Sequence, residues 1–174
     1  KRLNPNANVI QIDMDYRTVG KNRDITIGLV GHIGRTLSAI ADAGTKTNRD
    51  DWFKELRSGE ESALEKLMPT FTTDKSPISP YRVAWELNQF LNEDTIYIGD
   101  GGDVVTISAQ AVQPKRPGGW MDPGPLGTLG VGVPYAIAAK QSSPESEVLL
   151  YCGDGAFSMT GMDFEAFVRH KLPV

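Results

Sequence analysis

Twice in this chain a short β-type run stops at glycine and aspartate, and a helical pattern takes over. Thr95 to Ile98 leads into Gly99-Asp100-Gly101-Gly102-Asp103. Glu147 to Tyr151 leads, through Cys152, into Gly153-Asp154-Gly155. Strands that alternate with helices in this way predict parallel pairing and a doubly wound α/β sheet. The alternation is regular from residue 79 onward. Helices are expected over Tyr81 to Leu91, with Ser79 as cap and Pro80 at the first position, and over Val104 to Val112. Two more are expected over Gly127 to Lys140, with a glycine-rich start, and over Thr160 to His170. Residues 114–125 read as a Pro/Gly loop around Trp120, and Leu172-Pro173-Val174 as the first residues of another strand.

Before residue 79 the pattern is thinner. Asn8 to Ile12 and Ile25 to Val30 read as short strands, separated by a polar turn at Lys21 to Asp24. Gly34 to Ala43 carries Leu37, Ile40 and Ala41 at helical spacing, and Gly44 ends it. These elements are too few to bury both faces of a parallel sheet, so residues 1–43 read as the tail of an α/β domain. Asn48 to Met68 is an amphipathic helical stretch, expected to break near Gly59. Pro69 to Pro80 holds three prolines and no periodicity, which marks a linker. The expected organisation is residues 1–43, a helix and linker over 44–78, and a second domain over 79–174.

The totals exclude some classes. With 174 residues the chain can bury a core without staples. The net charge of −4, with scattered basic residues, argues against nucleic acid as partner. It leaves room for a phosphate-bearing small ligand, because backbone N–H groups hold phosphate without net positive charge. Cys152 is the one cysteine, so neither an internal disulfide nor a thiolate cluster is available. The longest apolar stretch, Thr128 to Ala139, is too short for a bilayer and contains Gly130, Gly132 and Pro134. The chain reads as soluble and cytoplasmic, with no membrane partner.

Ligands of doubly wound sheets bind outside the carboxyl ends of the strands. Both glycine/aspartate loops fall there, and a third segment, PGPLGTLGVG at 123–132, opens a helix. Glycine lets backbone N–H groups approach an anion, and a helix N-terminus adds a favourable dipole. An isolated Gly-Asp-Gly is a turn. Two such loops after two strands of one sheet, with a third beside them, favour a ligand. Asp154 would repel a naked phosphate, so its place there makes sense if a divalent cation stands between them. Mg²⁺ commonly bridges a carboxylate to a diphosphate.

Gly153-Asp154-Gly155-Ala156-Phe157 with the following MDFEAFVRHKLPV resembles the signature of thiamine-diphosphate-dependent enzymes, which opens with Gly-Asp-Gly and closes with Asn residues further on. PGPLGTLGVGVPYAIAAK at 123–140 resembles the pyrimidine-contacting segment of acetolactate synthases, benzaldehyde lyase and 2-hydroxyacyl-CoA lyases. Asp100-Gly101-Gly102-Asp103-Val104-Val105 is closer to the acyl-CoA lyase branch than to acetolactate synthases, which usually carry a Gln-His pair there. The resemblance is specific over residues 79–174. It is weaker over 1–43, where NVIQIDMD and IGLVG resemble the end of the family's middle domain.

The resemblance implies an incomplete thiamine-diphosphate-binding fold, with residues 79–174 as the first part of the diphosphate-binding domain. It assigns Mg²⁺ to Asp154 and the diphosphate to Gly155 and Ala156 on one side and Gly102 and Asp103 on the other, and it counts Gly153 among the cofactor-binding residues. It gives the aminopyrimidine to the carbonyl of Gly127 and the wedge between the cofactor's rings to Leu129, where many relatives have Met, with Thr128 between them. The implied activity is lysis or formation of a C–C bond in a 2-keto acid, or alternatively in a 2-hydroxyacyl-CoA. A non-catalytic diphosphate-binding module is the reading of another class. The family's activating Glu comes from an N-terminal domain, usually of a neighbouring subunit, so no catalytic residue is assigned here and Glu165 reads as a surface or helix-packing residue. The implied parent is a longer homodimeric or homotetrameric subunit, with residues 1–174 inactive alone. The resemblance also allows an adenine nucleotide (FAD, ADP or CoA) in the complete middle domain.

The remaining polar residues read plainly. Asp13 and Asp15, taken alone, form a capped turn, although a strand-end carboxylate is also where a ribose hydroxyl is held. His32 is a loop residue and His170 a helix-end residue. Cys152 is a small core residue. Trp120 and Met121 either line a pocket or anchor their loop.

Overall fold

The computed structural model describes residues 4–174. Two compact units divide the chain between Glu55 and Leu56.

The first unit holds β1 (Ile10–Asp13) and β2 (Ile27–Val30), paired in parallel with Ile10 opposite Ile27, and then α1 (Ile33–Ala43). The crossover between the strands contains no helix. Gln11 ties it down instead: its side chain donates to the Thr18 carbonyl and accepts from the Gly20 amide. None of this unit's described residues is buried, and Ile10, Ile27, Ile33, Leu37 and Ile40 are all exposed. That matches the expectation that too few elements are present to cover both faces of this sheet.

The helix α2 (Asp50–Phe71) differs from expectation, because it neither breaks at Gly59 nor stops at Met68. An exposed helical glycine costs only about 1 kcal/mol against alanine, and Gly59 has no neighbour to disturb. The helix continues because Phe71 is fully buried, in a cluster with Ala84, Ile107 and Ala111, joined by Leu64, Leu67 and Met68. The linker stretch is therefore shorter than its prolines suggest, and the second unit begins well before residue 78.

That unit continues with α3 (Pro80–Phe90), β3 (Ile96–Asp100), α4 (Gly102–Ala111) and β4 (Trp120–Met121). After these come α5 (Gly132–Ser142), β5 (Val148–Cys152), α6 (Asp154–Thr160) and α7 (Glu165–Arg169). The sheet order is β4-β3-β5, all parallel. Period-two alternation sends β3 side chains to both faces. Ile96 and Ile98 meet Val133, Ala136 and Ala139 of α5, with Val148 and Phe167. Tyr97, between them, is bonded through its hydroxyl to Ser108 of α4. All five β3 residues are buried, as expected for a parallel strand covered by helices on both sides. Burial pushes the Tyr97 phenol up to about 12, against a smaller opposing effect from Ser108.

Beyond shifts of one or two residues at strand and helix ends, the structure departs from the sequence reading around α4, α5, α6–α7 and the last three residues. α4 starts at Gly102, two residues before Val104, because the chain enters the helix straight from Gly101 at φ 120°. α5 starts at Gly132, since Gly127 and Gly130 take positive φ values of 62° and 86°, which no helix accommodates. The helix expected over Thr160 to His170 is three pieces: α6 starts earlier, at Asp154, a 3₁₀ turn spans Gly161–Phe164, and α7 follows. Leu172-Pro173-Val174 forms no strand. Lys171, at φ 53°, turns the chain so that the Leu172 amide donates to the Phe167 carbonyl and Leu172 packs on the α5 cluster. Among the described residues no helix is long and apolar enough to cross a membrane.

Candidate cofactor site

The two glycine/aspartate loops lie side by side because β3 and β5 are neighbours. Asp100 pairs with Cys152, and the Gly153 amide extends the ladder by donating to the Asp100 carbonyl at 3.0 Å. At Gly101, φ is 120° and a Cβ would sit 3.5 Å from the Gly153 nitrogen. That distance is ordinary contact, and it is the φ that only glycine adopts without strain. Two helices, α4 and α6, thus begin at one edge of the sheet, headed by Gly102 and Asp154.

The third glycine segment packs over this edge. A 3₁₀ turn spans Gly124–Leu126, started by Asp122, whose carboxylate accepts from the Gly124 amide and from the Trp120 indole. Trp120 stacks on Tyr97 with ring centroids 5.0 Å apart, so it anchors the loop. Gly101, Gly102, Val105 and Thr106 on one side and Pro123, Gly124, Gly127 and Leu129 on the other enclose a cleft of about 190 Å³. At Gly102, Gly124, Gly127 and Gly155 an added Cβ would meet nothing within 4 Å. Open space over exposed backbone is what a diphosphate needs to reach N–H groups, so the residues present fit such a group.

The expected site residues divide between two places. Gly102, Gly127 and Leu129 line the cleft, and Leu129 keeps 38% of its surface exposed. Asp103 and Thr128 flank it, both exposed. Gly153, Asp154, Gly155 and Ala156 form the adjoining turn into α6, where Asp154 and Gly155 are exposed and Ala156 is buried. Asp154 stands without a cluster of metal-ligating side chains, since the described residues contain no group of three or more His, Cys, Asp or Glu. A single carboxylate suits Mg²⁺ that takes its other oxygens from phosphate and water.

Two residues of this edge were not assigned from sequence. Asp100 is 1% exposed, and its carboxylate accepts from the Gly130 amide at 3.2 Å and the Gly132 amide at 2.7 Å. Thr160, at the end of α6, donates its hydroxyl to the Gly130 carbonyl at 2.8 Å. One signal for Asp100 was present. It stands two residues after Ile98 and four after Ile96, so strand periodicity puts its side chain on their inward face. Thr160 carried no such signal.

The other candidates resolve as structural. Burial, with repulsion from the Asp100 carboxylate, pushes the half-buried Cys152 thiol up, away from thiolate character. Glu165 is exposed and paired with Arg169 at 3.0 Å. His32 caps α1, accepting from the Arg35 amide at 3.4 Å. His170 follows α7 and meets the Arg169 side chain.

Residues 100–174 match the family described as thiamine pyrophosphate enzyme, C-terminal TPP binding domain. Through those residues the chain is similar to the thiamine pyrophosphate enzyme family. Relatives of the whole stretch agree. A probable acetolactate synthase of Mycobacterium bovis is 38% identical over 152 residues, covering 87% of this chain and 28% of that protein. The zebrafish 2-hydroxyacyl-CoA lyase 2 is 35% identical over 180 residues, 99% of this chain and 29% of that protein. The human 2-hydroxyacyl-CoA lyase 2 is 41% identical over 150 residues, 83% of this chain and 23% of that protein. The chain thus spans less than a third of the length of these relatives.

Proposed function

We propose that the protein carrying this chain is a thiamine-diphosphate- and Mg²⁺-dependent lyase or carboligase of the acetolactate synthase-like group, acting on 2-keto acids. The observation that carries this reading is the convergence of three glycine segments, from β3–α4, the 3₁₀ turn and β5–α6, on one edge of a parallel sheet. When bound, thiamine diphosphate supplies the nucleophilic carbon and the electron sink for C–C chemistry beside a carbonyl. The chain's own residues do the holding. Backbone groups of Gly102 and Asp103 would meet the diphosphate from one side, and those of Gly155 and Ala156 from the other, with Gly153 leading the chain into that turn. Asp154 would hold Mg²⁺. The Gly127 carbonyl would accept from the aminopyrimidine, and Leu129, with Thr128 behind it, would fill the bend of the cofactor. The activating carboxylate would come from another domain in a homodimer or homotetramer.

A second reading, 2-hydroxyacyl-CoA lyase, is favoured by Val104 and Val105. The two valines belong to the Asp100–Val105 loop, which resembles the acyl-CoA lyase branch more than the Gln-His-bearing loop of the synthases; Val105 lines the cleft and Val104 packs against Gly101. Both readings share the cofactor, and substrate turnover separates them.

The test is calorimetric titration of the full-length protein with thiamine diphosphate, with and without Mg²⁺, beside Asp154→Ala. Binding that needs Mg²⁺ and is lost in the variant is expected. Binding indifferent to both returns Gly153-Asp154-Gly155 to a plain turn, and binding without turnover on either substrate class favours a non-catalytic module.

A further inference from the structure

We propose that Asp100 is a positioning residue of the cofactor cradle, fixing the Gly127–Gly132 loop to the sheet while Thr160 fixes the same loop to α6. The proposal rests on the thiamine-diphosphate reading above and deepens it. Asp100 ends the central strand, and its carboxylate is almost completely withdrawn from water. Desolvating a carboxylate is costly unless charge-assisted hydrogen bonds replace water. Here each oxygen takes one backbone amide, Gly130 and Gly132, thirty and thirty-two residues further along the chain. From the opposite side Thr160 donates to the carbonyl of that same Gly130.

The fit around this clamp is close. A Cβ at Gly130 would lie 2.8 Å from the Cβ of Met159, and one at Gly132 would lie 2.9 Å from the Cβ of Asp100. Gly130 therefore sits seated between β3 and α6, while its neighbour Leu129 and nearby Gly127 face the open cleft. The clamp ties the cofactor-facing half of the loop to the ends of both β3–α4 and β5–α6. Asparagine keeps the shape of Asp100 but sets an NH₂ against one of the two amide donors, so one bond is lost and two donors face each other. Valine at position 160 keeps the shape of threonine and removes the donor.

The experiment uses the full-length protein with Asp100→Asn and Thr160→Val. Three quantities are read: affinity for thiamine diphosphate in the presence of Mg²⁺, hydrogen exchange of peptides covering residues 126–133 without cofactor, and Tm. The expected result for Asp100→Asn is at least tenfold weaker cofactor binding and faster exchange in those peptides. Thr160→Val should show the same changes at about threefold, with Tm unchanged. A purely structural role predicts instead a lowered Tm with cofactor affinity in the folded protein within twofold of wild type, and that result overturns the proposal. If Asp100→Asn does not fold, Thr160→Val decides by the same criterion. Failure of the wild type itself to bind thiamine diphosphate overturns the cofactor reading, and this proposal with it, and is recognised by that control alone.

Discussion

Asp13 and Asp100 occupy the same place in the topology, each as the last residue of a parallel strand, β1 and β3. Their partners differ in distance along the chain. Asp13 accepts from the Asp15 amide at 2.9 Å, two residues on. Hydrogen bonding from Thr18 first, and from the Asp15 amide second, holds its carboxyl below the ordinary value. Asp100 takes amides from a different loop and is buried beneath it. A strand-end carboxylate satisfied by its own turn shapes only that turn. One satisfied from afar holds two segments together, and in this sheet those segments border the cleft.

The largest expected effect tests that difference directly. Asp100→Ala strips the acceptors from two buried amides, and each unsatisfied buried donor costs about 1–3 kcal/mol. A loss of about 3 kcal/mol or more is therefore expected in chemical denaturation of the full-length protein. Asp13→Ala, where water replaces the lost acceptor, should move the midpoint far less. Equal effects from the two variants would break the comparison.

A smaller effect separates packed from open glycines at the same edge. Gly132→Ala would bring a Cβ to 2.8 Å from Leu150 Cδ1 and 3.0 Å from Asp100 Oδ2, and overpacking of this kind costs about 1–3 kcal/mol. Gly155→Ala meets nothing within 4 Å and lies in α6, where alanine is the better helix former by about 1 kcal/mol. Its stability should hold or rise while cofactor affinity falls. A Gly155→Ala protein that binds thiamine diphosphate as tightly as wild type would remove Gly155 from the cradle.

What was legible in the sequence follows the same division between local and remote. The parallel α/β order, the strand-to-glycine turns at Gly101 and Gly153, and the helix start at Pro80 all depend on neighbouring residues, and the sequence reading located them, although the Ser79 side chain makes no capping bond. Strand β4 did not announce itself, because two residues, Trp120 and Met121, carry no periodicity, and the strand exists through its pairing with Tyr97 and Ile98. The continuation of α2 to Phe71 depends on a cluster with Ala84 and Ile107, which outweighs the local signals of Gly59 and Pro69. Asp100 was read as part of a glycine turn. Its amide partners lie some thirty positions away, beyond the reach of any motif.

The smallest effect concerns the local end of the comparison. Asp15 makes a bidentate contact with Arg17, Nη2 to Oδ2 at 2.7 Å and Nε to Oδ1 at 2.9 Å. That guanidinium, more than the Arg17 amide, holds the Asp15 carboxyl below its ordinary value. A carboxyl depressed in the folded state contributes stability that is present above the unfolded value near 3.9 and is lost as pH falls through the folded value. The pair is exposed and screened by water and salt, so little stability is at stake. Carboxylate titration of the full-length protein, selectively labelled at aspartate, should show Asp15 titrating low and returning toward its ordinary range in Arg17→Gln. The same substitution should leave exchange in the peptides covering residues 126–133 unchanged. Faster exchange there would mean that the turn after β1 is not the self-contained device its hydrogen bonds describe.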